Sequence, residues 1–188
     1  MENEKIIIAR AKEGDERAFS DLVRYYQKYA FNLAFRLVCN EEAAKDVVQD
    51  SFIKIWKNIR SYKTEMKFTT WMYKIVTNTA IDYKRGMTNE TLNIDEVGYN
   101  LALRSENPES KITNDELANF IRLATNKLSE KQRAVFILKD IQGCSSHEVG
   151  KLLNQSATSI KSNLYHARKA VKNYLNKVLK VERVRNEN

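Results

Sequence analysis

Residues that form turns and cross-links are scarce in this sequence of 188 residues. Proline occurs once, at Pro108, and glycine only five times. Because these two residues punctuate turn-rich sheets, their scarcity favours a helical chain. The two cysteines, Cys39 and Cys144, belong to no C-x-x-C or Cys/His cluster. A disulfide framework and a zinc site are therefore not expected, and a reducing cytoplasm fits.

Long apolar runs and enzyme motifs are also missing. No stretch approaches the roughly 18–20 apolar residues of a membrane span, and the opening residues do not resemble a signal peptide. The sequence has no Gly-rich phosphate loop, no H-E-x-x-H and no nucleophile elbow, and its two histidines are His147 and His166. We therefore expect a cytoplasmic protein that is not an enzyme, with no membrane insertion, catalytic residues, metal or cofactor.

Positive charge is abundant and unevenly distributed. Lysine and arginine number 32 against 24 acidic residues, which gives a net charge of +8. Residues 1–85 carry +4, residues 86–127 carry −3 and residues 128–188 carry +7. Two basic blocks joined by an acidic segment suit a protein with an anionic partner.

Apolar residues recur at helical spacing on both sides of one interruption. The pattern fails from Gly86 to about Lys111, where Pro108 and many Asn, Ser and Glu residues occur. We therefore predict an all-α fold of two small domains, residues 1–86 and 112–188, joined by a flexible acidic linker over 87–111. The N-terminal helices are indicated by three apolar stripes: Phe19, Leu22, Val23, Tyr26, Ala30, Leu33 and Leu37; Ala44, Val47, Val48, Phe52, Ile55, Trp56 and Ile59; and Trp71, Met72, Ile75, Val76, Thr79 and Tyr83.

Capping residues predict where several helices begin. Asn40 precedes a helix whose first turn carries Glu41 and Glu42, at the favourable end of the dipole. In the C-terminal block, three Ser/Thr residues are each followed three positions later by Glu or Gln, the pattern of a capping box. The pairs are Thr113 with Glu116, Ser129 with Gln132, and Ser145 with Glu148, and Ser156 is a fourth candidate cap. The C-terminal block is therefore predicted to contain four helices.

The last two of these helices form a helix-turn-helix pattern over residues 145–171. Gly150 allows a close helix crossing, and Asn154 tolerates the left-handed backbone of the turn. Apolar residues at 149, 152, 153, 160, 164, 167 and 171 face one side. Hydrogen-bonding and cationic side chains face the other, as in a helix that enters a major groove: Thr158, Lys161, Ser162, Tyr165, His166, Arg168 and Lys169. An ordinary helical hairpin with a solvated face is the alternative.

Four motifs occur in one order along the chain: "DVVQDSFIKIWKNI", "SYKTEMKFTTWMYKIVTNTAIDYKR", "LSEKQRAVFILKDIQGCSSHEVGKLLN" and "SIKSNLYHARKAVK". Together they resemble bacterial RNA polymerase sigma factors of the extracytoplasmic-function (ECF) group in the sigma-70 family. The resemblance covers nearly the whole chain apart from the linker and the last dozen residues. It implies a promoter-specificity subunit that binds core polymerase, recognises the minus-thirty-five and minus-ten promoter elements and promotes DNA opening.

The resemblance also assigns residues to these tasks. One side of the helix in the first motif is expected to dock on core polymerase through Asp46, Gln49, Asp50 and Lys54. The second motif is expected to bind the opened minus-ten element, since a loop with aromatics and amides can capture an unstacked base; its candidates are Tyr62, Lys63, Phe68, Lys74, Asn78, Lys84 and Arg85. The outward residues of the last helix, from Thr158 to Lys169, are expected to bind the minus-thirty-five duplex.

The sequence departs from the family pattern around the turn. Gln155 stands where an apolar residue is usual, and Asn163 and His166 replace residues that are commonly Arg, so the reading surface is less cationic than in typical members. The expected partners are core RNA polymerase, promoter DNA and an anti-sigma factor. Two alternatives stay open: a stand-alone helix-turn-helix regulator that acts without polymerase, and a regulator that mimics polymerase to bind a sigma factor.

Overall fold

The computed structural model describes residues 2–90, 120, 122–125 and 128–186. In these residues the secondary structure consists of helices and turns, with no strand, so the all-helical prediction is confirmed. Of the helices that this part of the chain contains, none combines the length and the apolar character that a membrane span requires.

The N-terminal half consists of four helices. They are α1 (Glu2–Lys12), α2 (Glu16–Val38), α3 (Glu41–Asn58), which runs into a 3-10 turn at Ile59–Ser61, and α4 (Phe68–Glu90). The ends follow from local chemistry. Asp15 caps α2 by accepting from the backbone N–H groups of Arg17 and Ala18, and α2 ends at Cys39 in the left-handed region, at φ 59°. The predicted cap Asn40 accepts from the N–H of Ala43 at 2.9 Å.

The core of this half lies where α2, α3 and α4 meet. Leu33, Ile55, Met72 and Val76 are fully buried there, and the three predicted apolar stripes supply most of the surrounding side chains. Burial of this apolar surface is the main force that holds the half together. Tyr26 closes one end of the core and donates its hydroxyl to Glu4 of α1 at 2.5 Å.

In the C-terminal half, two short helices precede a long one. Residues 122–125 are helical. They are followed by α5 (Glu130–Phe136), which continues as a π-helical turn at Ile137–Ile141, then α6 (Ser146–Leu153) and α7 (Ala157–Asn186). Both capping boxes within these residues are formed, Ser129 with Gln132 and Ser145 with Glu148. Ser156 accepts from the N–H of Ser159 at 3.2 Å, which confirms it as the cap of α7.

Helix α4 extends further than its pattern predicted. It continues past Gly86 to Glu90 and so includes the first residues assigned to the linker. A single glycine inside a helix costs only about 1 kcal/mol, which the flanking turns can offset. The rest of the predicted linker, residues 91–111, and the predicted cap at Thr113 lie outside the described residues.

The two halves pack against each other, chiefly through α4 and α6. Thr70 donates to the carboxylate of Glu148 at 3.2 Å, and Tyr73 donates to the side-chain oxygen of Gln142 at 3.1 Å. The guanidinium of Arg133 is buried at this contact, where it donates to the carbonyl of Leu37 at 3.5 Å and to that of Thr125 at 2.8 Å.

Candidate functional site

The turn between α6 and α7 has the geometry that its residues predicted. Asn154 adopts φ 50° and ψ 50°, the left-handed conformation that asparagine tolerates better than most residues. A Cβ on Gly150 would lie 3.1 Å from the carbonyl oxygen of Gln155 and 3.4 Å from Cδ1 of Ile160. Glycine at this position therefore permits the close crossing of a helix-turn-helix, and the sequence prediction is confirmed.

Helix α7 presents its polar side to solvent. Val149 and Leu152 of α6 and Ile160 and Ala167 of α7 are buried. The predicted reading residues are all exposed: Thr158, Lys161, Ser162, Tyr165, His166, Arg168 and Lys169. Tyr165 is 62% exposed, and its ring lies edge-on to that of His166, with the ring centroids 5.4 Å apart.

One reading residue is already paired. Arg168 binds the carboxylate of Asp140 in two places, at 2.8 Å from Nε and 2.7 Å from Nη2. The carboxylate also raises the pKa of the guanidinium, chiefly by hydrogen bonding. A phosphate contact by Arg168 must therefore compete with this ion pair, whereas Lys161 and Lys169 form no ion pair with the residues that the structure describes.

The residues that depart from the family pattern contact one another. The side-chain oxygen of Gln155 accepts from Ser159 Oγ at 3.1 Å and from Asn163 Nδ2 at 3.0 Å. Asn163 also donates to Ser159 Oγ at 3.3 Å. A half-buried polar group costs little when it is hydrogen-bonded, so Asn163 compensates for the loss of an apolar residue at 155.

Helix α3 carries the predicted docking residues beside an apolar groove. Asp46, Gln49, Asp50 and Lys54 are all exposed, and Lys54 also donates to Thr79 of α4 at 3.1 Å. The groove, of about 860 Å³, lies between α2 and α3. Its apolar lining includes Phe19, Val23, Phe31, Val48, Phe52, Ile53 and Trp56. Gln49 belongs to both surfaces, so the polar side of α3 and the groove are continuous.

The loop between α3 and α4 is supported by two buried aromatic rings. Tyr62 and Phe68 are almost fully buried and lie edge-on to each other at 5.4 Å. The Tyr62 hydroxyl donates to the carbonyl of Met66 at 2.5 Å and so holds the loop in place. Both rings also line a cavity of about 720 Å³, which the loop shares with α1 and α2. Lys63, the predicted minus-ten cation in this loop, is exposed.

Asn78 lies outside the loop between α3 and α4 and outside its cavity. It is exposed on α4, and it lines a smaller cavity of about 320 Å³ with Arg85 and Gln155. Lys74 is exposed. Nε of Arg85 lies 3.8 Å from a carboxylate oxygen, Oε2, of Glu130. Lys84 is half-buried at the contact between the halves, where burial and, secondarily, Arg133 lower its pKa. Of the predicted minus-ten residues, Tyr62 and Phe68 line the cavity beside the loop, and Asn78 and Arg85 line the smaller cavity. Lys84 lies at the contact between the halves, and Lys63 and Lys74 are exposed and line neither cavity.

Sequence reasoning missed two features of these surfaces. The groove between α2 and α3 uses residues that were assigned to the core, together with Ile53, which is 45% exposed. The cavity beside the loop is walled by Tyr25 and Tyr29 of α2. Their spacing of four residues, on the side of α2 away from its core stripe, was the available signal.

Among the described residues, no group of three or more His, Cys, Asp and Glu side chains could hold a metal ion.

Comparison with known families matches both halves. The Sigma-70 region 2 model matches residues 22–89, and the Sigma-70 region 4 model matches residues 121–171. The ECF RNA polymerase sigma factor SigW of Bacillus subtilis is 32% identical over 176 residues, which cover 89% of this chain and 94% of SigW. The ECF RNA polymerase sigma-E factor of Escherichia coli K12 is 28% identical over 178 residues, which cover 90% and 93%.

Solved structures share the fold. The chain of CnrH, solved in complex with the cytosolic domain of CnrY, superposes with a TM-score of 0.66 at 22% identity, covering 93% of this chain and 98% of CnrH. The sigma factor RpoE of Bartonella quintana, solved in complex with the anti-sigma factor NepR, gives a TM-score of 0.66 at 23% identity, covering 84% and 96%.

The two halves therefore define a DNA-binding transcription protein with sigma regions 2 and 4. The chain belongs to the ECF sigma factors of the sigma-70 family. It is a promoter-specificity subunit, which binds core RNA polymerase, recognises promoter elements and promotes DNA opening for initiation.

Proposed function

We propose that this sigma factor divides its work among three surfaces: the side of α3 docks on core polymerase, the loop at 61–68 and Asn78 bind the opened minus-ten strand, and α7 binds the minus-thirty-five duplex. The observation that carries the proposal is that both sigma regions occur in order on one chain and that the predicted residues of α3 and α7 are exposed. The factor acts by binding, without a catalytic group of its own, in the cytoplasm.

Docking on polymerase is supported by the combination of charge and apolar surface on α3. Asp46 and Asp50 offer carboxylates to a basic partner, and the neighbouring groove offers aromatic and aliphatic side chains. Interfaces of this kind place an apolar centre beside a polar rim, and the centre supplies most of the binding energy. An amphipathic helix of the polymerase suits such a groove.

Minus-ten binding is supported by side chains that can hold an unstacked strand. Asn78 is exposed, and its amide can both donate to and accept from a base edge. Lys63 and Lys74 are exposed and can contact phosphates. Binding that prefers the unpaired strand shifts the equilibrium from closed to open DNA. Lys84, which is half-buried, becomes available only if the contact between the halves opens.

Minus-thirty-five binding is supported by the exposed polar side of α7. Its first turns carry Thr158, Lys161 and Ser162, where a helix N-terminus reaches into a major groove. Lys161 and Tyr165 line a shallow surface with Lys169 and Lys172. Base-edge contacts there would specify the sequence, while the flanking lysines contact phosphates and position the helix.

We further propose an anti-sigma partner for this chain. The support is the groove between α2 and α3, which a partner other than polymerase can also cover, together with the fold shared with RpoE of Bartonella quintana, solved with its anti-sigma factor. Occupation of the groove by such a partner would exclude polymerase. Competition between the two for one surface is the expected mode of inhibition.

The decisive experiment is reconstituted transcription. The purified protein is added to core polymerase that lacks other sigma factors, with a pool of promoter fragments from the source genome, and the transcript starts are sequenced. Discrete starts that share two upstream elements support the proposal and reveal the promoter sequence. A folded protein that binds DNA but neither binds core polymerase nor yields starts would favour the stand-alone regulator.

Two variants test the assignment of surfaces. Asp50→Arg is expected to weaken core polymerase binding while the chain stays folded, because it reverses a charge on the docking side. Asn78→Ala is expected to weaken binding of the single-stranded minus-ten element and to leave minus-thirty-five duplex binding intact. Equal losses on both DNA ligands would contradict the division into two DNA-binding surfaces.

A further inference from the structure

The ion pair between Asp140 and Arg168 differs in geometry from the other ion pairs that the described residues form. One edge of the guanidinium donates to both carboxylate oxygens, Nε to one at 2.8 Å and Nη2 to the other at 2.7 Å. In the pair of Arg10 with Asp15, by contrast, both nitrogens contact a single oxygen. Two parallel charge-assisted bonds fix a guanidinium more firmly than one contact does. Arg168 of α7 is therefore held against the turn that precedes α6.

Asp140 is the fixed member of this pair. It lies in the π-helical turn at Ile137–Ile141, and two residues of that turn, Ile137 and Leu138, are fully buried and anchor it in the core. The Asp140 side chain is only 23% exposed, whereas the Arg168 side chain is 58% exposed. The longer and more exposed arginine is therefore the member that can move toward DNA.

A phosphate contact by Arg168 would separate this pair. The carboxylate of Asp140 would then keep its charge in a largely shielded place without the guanidinium that stabilises it, which is unfavourable. The exposed lysines of α7 contact phosphates without this cost. Lys161, Lys169 and Lys172 line the same shallow surface as Arg168. We therefore expect DNA to engage these lysines before it engages Arg168.

The pair also acts on DNA at a distance. A carboxylate a few ångströms from a guanidinium cancels most of its attraction for a phosphate beyond it, because the two Coulomb energies have opposite signs. Apart from Arg168, the charged residues that line the shallow surface are lysines, so Asp140 is an acidic group beside a cationic surface. Two further carboxylates of the C-terminal half, Glu130 and Glu148, contact the N-terminal half instead. Asp140 therefore opposes the part of DNA binding that depends on phosphate charge alone.

We propose that Asp140 is a positioning residue of the duplex-binding surface: it holds Arg168 away from the phosphates and so weakens binding of α7 to duplex DNA of any sequence. The inference rests on the proposed minus-thirty-five function and adds a residue that limits it. Non-promoter DNA offers a vast excess of competing sites, and a sequence-independent contact strengthens binding to all of them. Withholding one such contact leaves more of the factor free to join core polymerase.

The test is duplex binding by the full chain, measured by fluorescence anisotropy. One probe carries the minus-thirty-five element of a promoter that the transcription assay identifies, and the other has the same base composition in scrambled order. Asp140→Asn keeps the size of the side chain and removes its charge. We expect this variant to bind both probes about fivefold more tightly, because a partly exposed ion pair restrains its members by about that factor.

Salt dependence identifies the cause of this gain in affinity. One additional phosphate contact steepens the slope of log K against log salt concentration by about 0.9, so the advantage of Asp140→Asn over the parent should grow about 3.5-fold when salt is lowered about fourfold. A loss of helix stability would not steepen this slope. Asp140→Glu keeps a carboxylate within reach of the guanidinium and should restore the affinity and the slope of the parent.

Substitutions of Arg168 assign the added contact. Arg168→Met should weaken duplex binding about fivefold more in the Asp140→Asn background than in the parent, and it should remove the steeper slope. This comparison is the matched control for net charge, because Asp140→Asn adds the same charge in both backgrounds. A lysine cannot form the two-point contact, so Arg168→Lys should bind phosphates more readily and also steepen the slope. Thermal melting measures the folding of each variant, and Arg168→Lys decides the question if Asp140→Asn fails to fold.

The outcomes separate this inference from the function beneath it. If Lys161→Glu weakens duplex binding but Asp140→Asn and Arg168→Lys keep the affinity and slope of the parent, Asp140 does not restrain Arg168 and the assignment of α7 stands. If Lys161→Glu has no effect, the assignment of α7 to duplex DNA fails together with this inference. If Asp140→Asn gains affinity equally with and without Arg168, the carboxylate acts only through its own charge and the positioning role is wrong.

Discussion

The two surfaces proposed to contact DNA have opposite shapes. The N-terminal half offers a concave surface lined by rings and lysines, and Asn78 lines a second one at the contact between the halves, whereas the C-terminal half offers one convex helix with polar side chains on its outer side. A base that has left its stack needs a cavity with a flat wall, while an intact duplex admits a helix into its major groove. The shape of each half therefore indicates which form of DNA it takes.

The halves also differ in what stabilises them. In the N-terminal half, long helices bury a continuous core around Leu33, Ile55 and Met72. In the C-terminal half, α5 and α6 are short, and each begins with a capping box. Because short helices are marginal on their own, this half depends more on its helix ends and on the contact with α4. Substitutions at caps and at the contact should therefore affect the C-terminal half most.

The largest effect is expected from Lys161→Glu on α7. Reversing this exposed charge replaces an attraction to DNA with a repulsion, and we expect about 100-fold weaker holoenzyme binding to a duplex that carries only the minus-thirty-five element. Lys177→Glu makes the same change further along the helix, where the side chain is also exposed, and should have little effect. An equal loss of binding to a single-stranded minus-ten oligonucleotide would contradict the assignment of duplex binding to the C-terminal half.

The next largest effect, on the free energy of unfolding, is expected at the contact between the halves. Arg133→Met removes a buried guanidinium that donates to the carbonyls of Leu37 and Thr125. Loss of these charge-assisted bonds should lower the free energy of unfolding by about 2 kcal/mol. Urea denaturation measures the change, with Lys131→Met, at an exposed position of the same helix, as the control. Equal stability of the two variants would mean that Arg133 does not hold the halves together.

A smaller effect is expected at a helix end. Ser145→Ala removes the acceptor for the N–H of Glu148 and should cost about 1 kcal/mol. Hydrogen exchange should accelerate in α6 and α7 and stay unchanged in the core of α2, α3 and α4. Ser146→Ala alters the neighbouring exposed serine and is expected to be neutral. Faster exchange throughout the chain would show that the halves unfold as one unit.

The smallest effect is a pH dependence at the same helix end. Hydrogen bonds from the backbone and side chain of Ser145, then from Thr70, together with the charge of Lys67, lower the pKa of Glu148 below its ordinary value of 4.5. A lowered folded-state pKa stabilises the fold above the ordinary value, and this contribution is lost as the pH falls through the folded-state pKa. It should stay below about 1 kcal/mol because the group is partly exposed.

Denaturation of the parent and of Glu148→Gln at neutral and acidic pH measures this contribution. The gap in stability between the two proteins should narrow as the pH falls, since protonated Glu148 resembles glutamine. A gap that stays constant with pH would assign the role of Glu148 to packing.

Local chemistry made much of the fold predictable. The caps at Asn40, Ser129, Ser145 and Ser156 and the turn at Asn154 each depend on residues within a few positions of one another, and the structure confirms all of them. The end of α4 was not predicted because Gly86 weakens a helix without ending it. The sequence shows that Gln155 and Asn163 each depart from the family pattern. It does not show the hydrogen bond between their side chains, because that bond depends on how the turn crosses α7.

The sequence by itself determined the helical class, the positions of most helix ends and the exposure of the polar side of α7, because each follows from spacing and capping along a single segment. Only the tertiary structure decided that Asn78 and the loop face different cavities, that Lys84 and Arg133 meet at the contact between the halves, and that Tyr25 and Tyr29 stand beside the loop. These arrangements join residues that are distant in sequence, and packing of whole helices, which no local pattern specifies, brings them together.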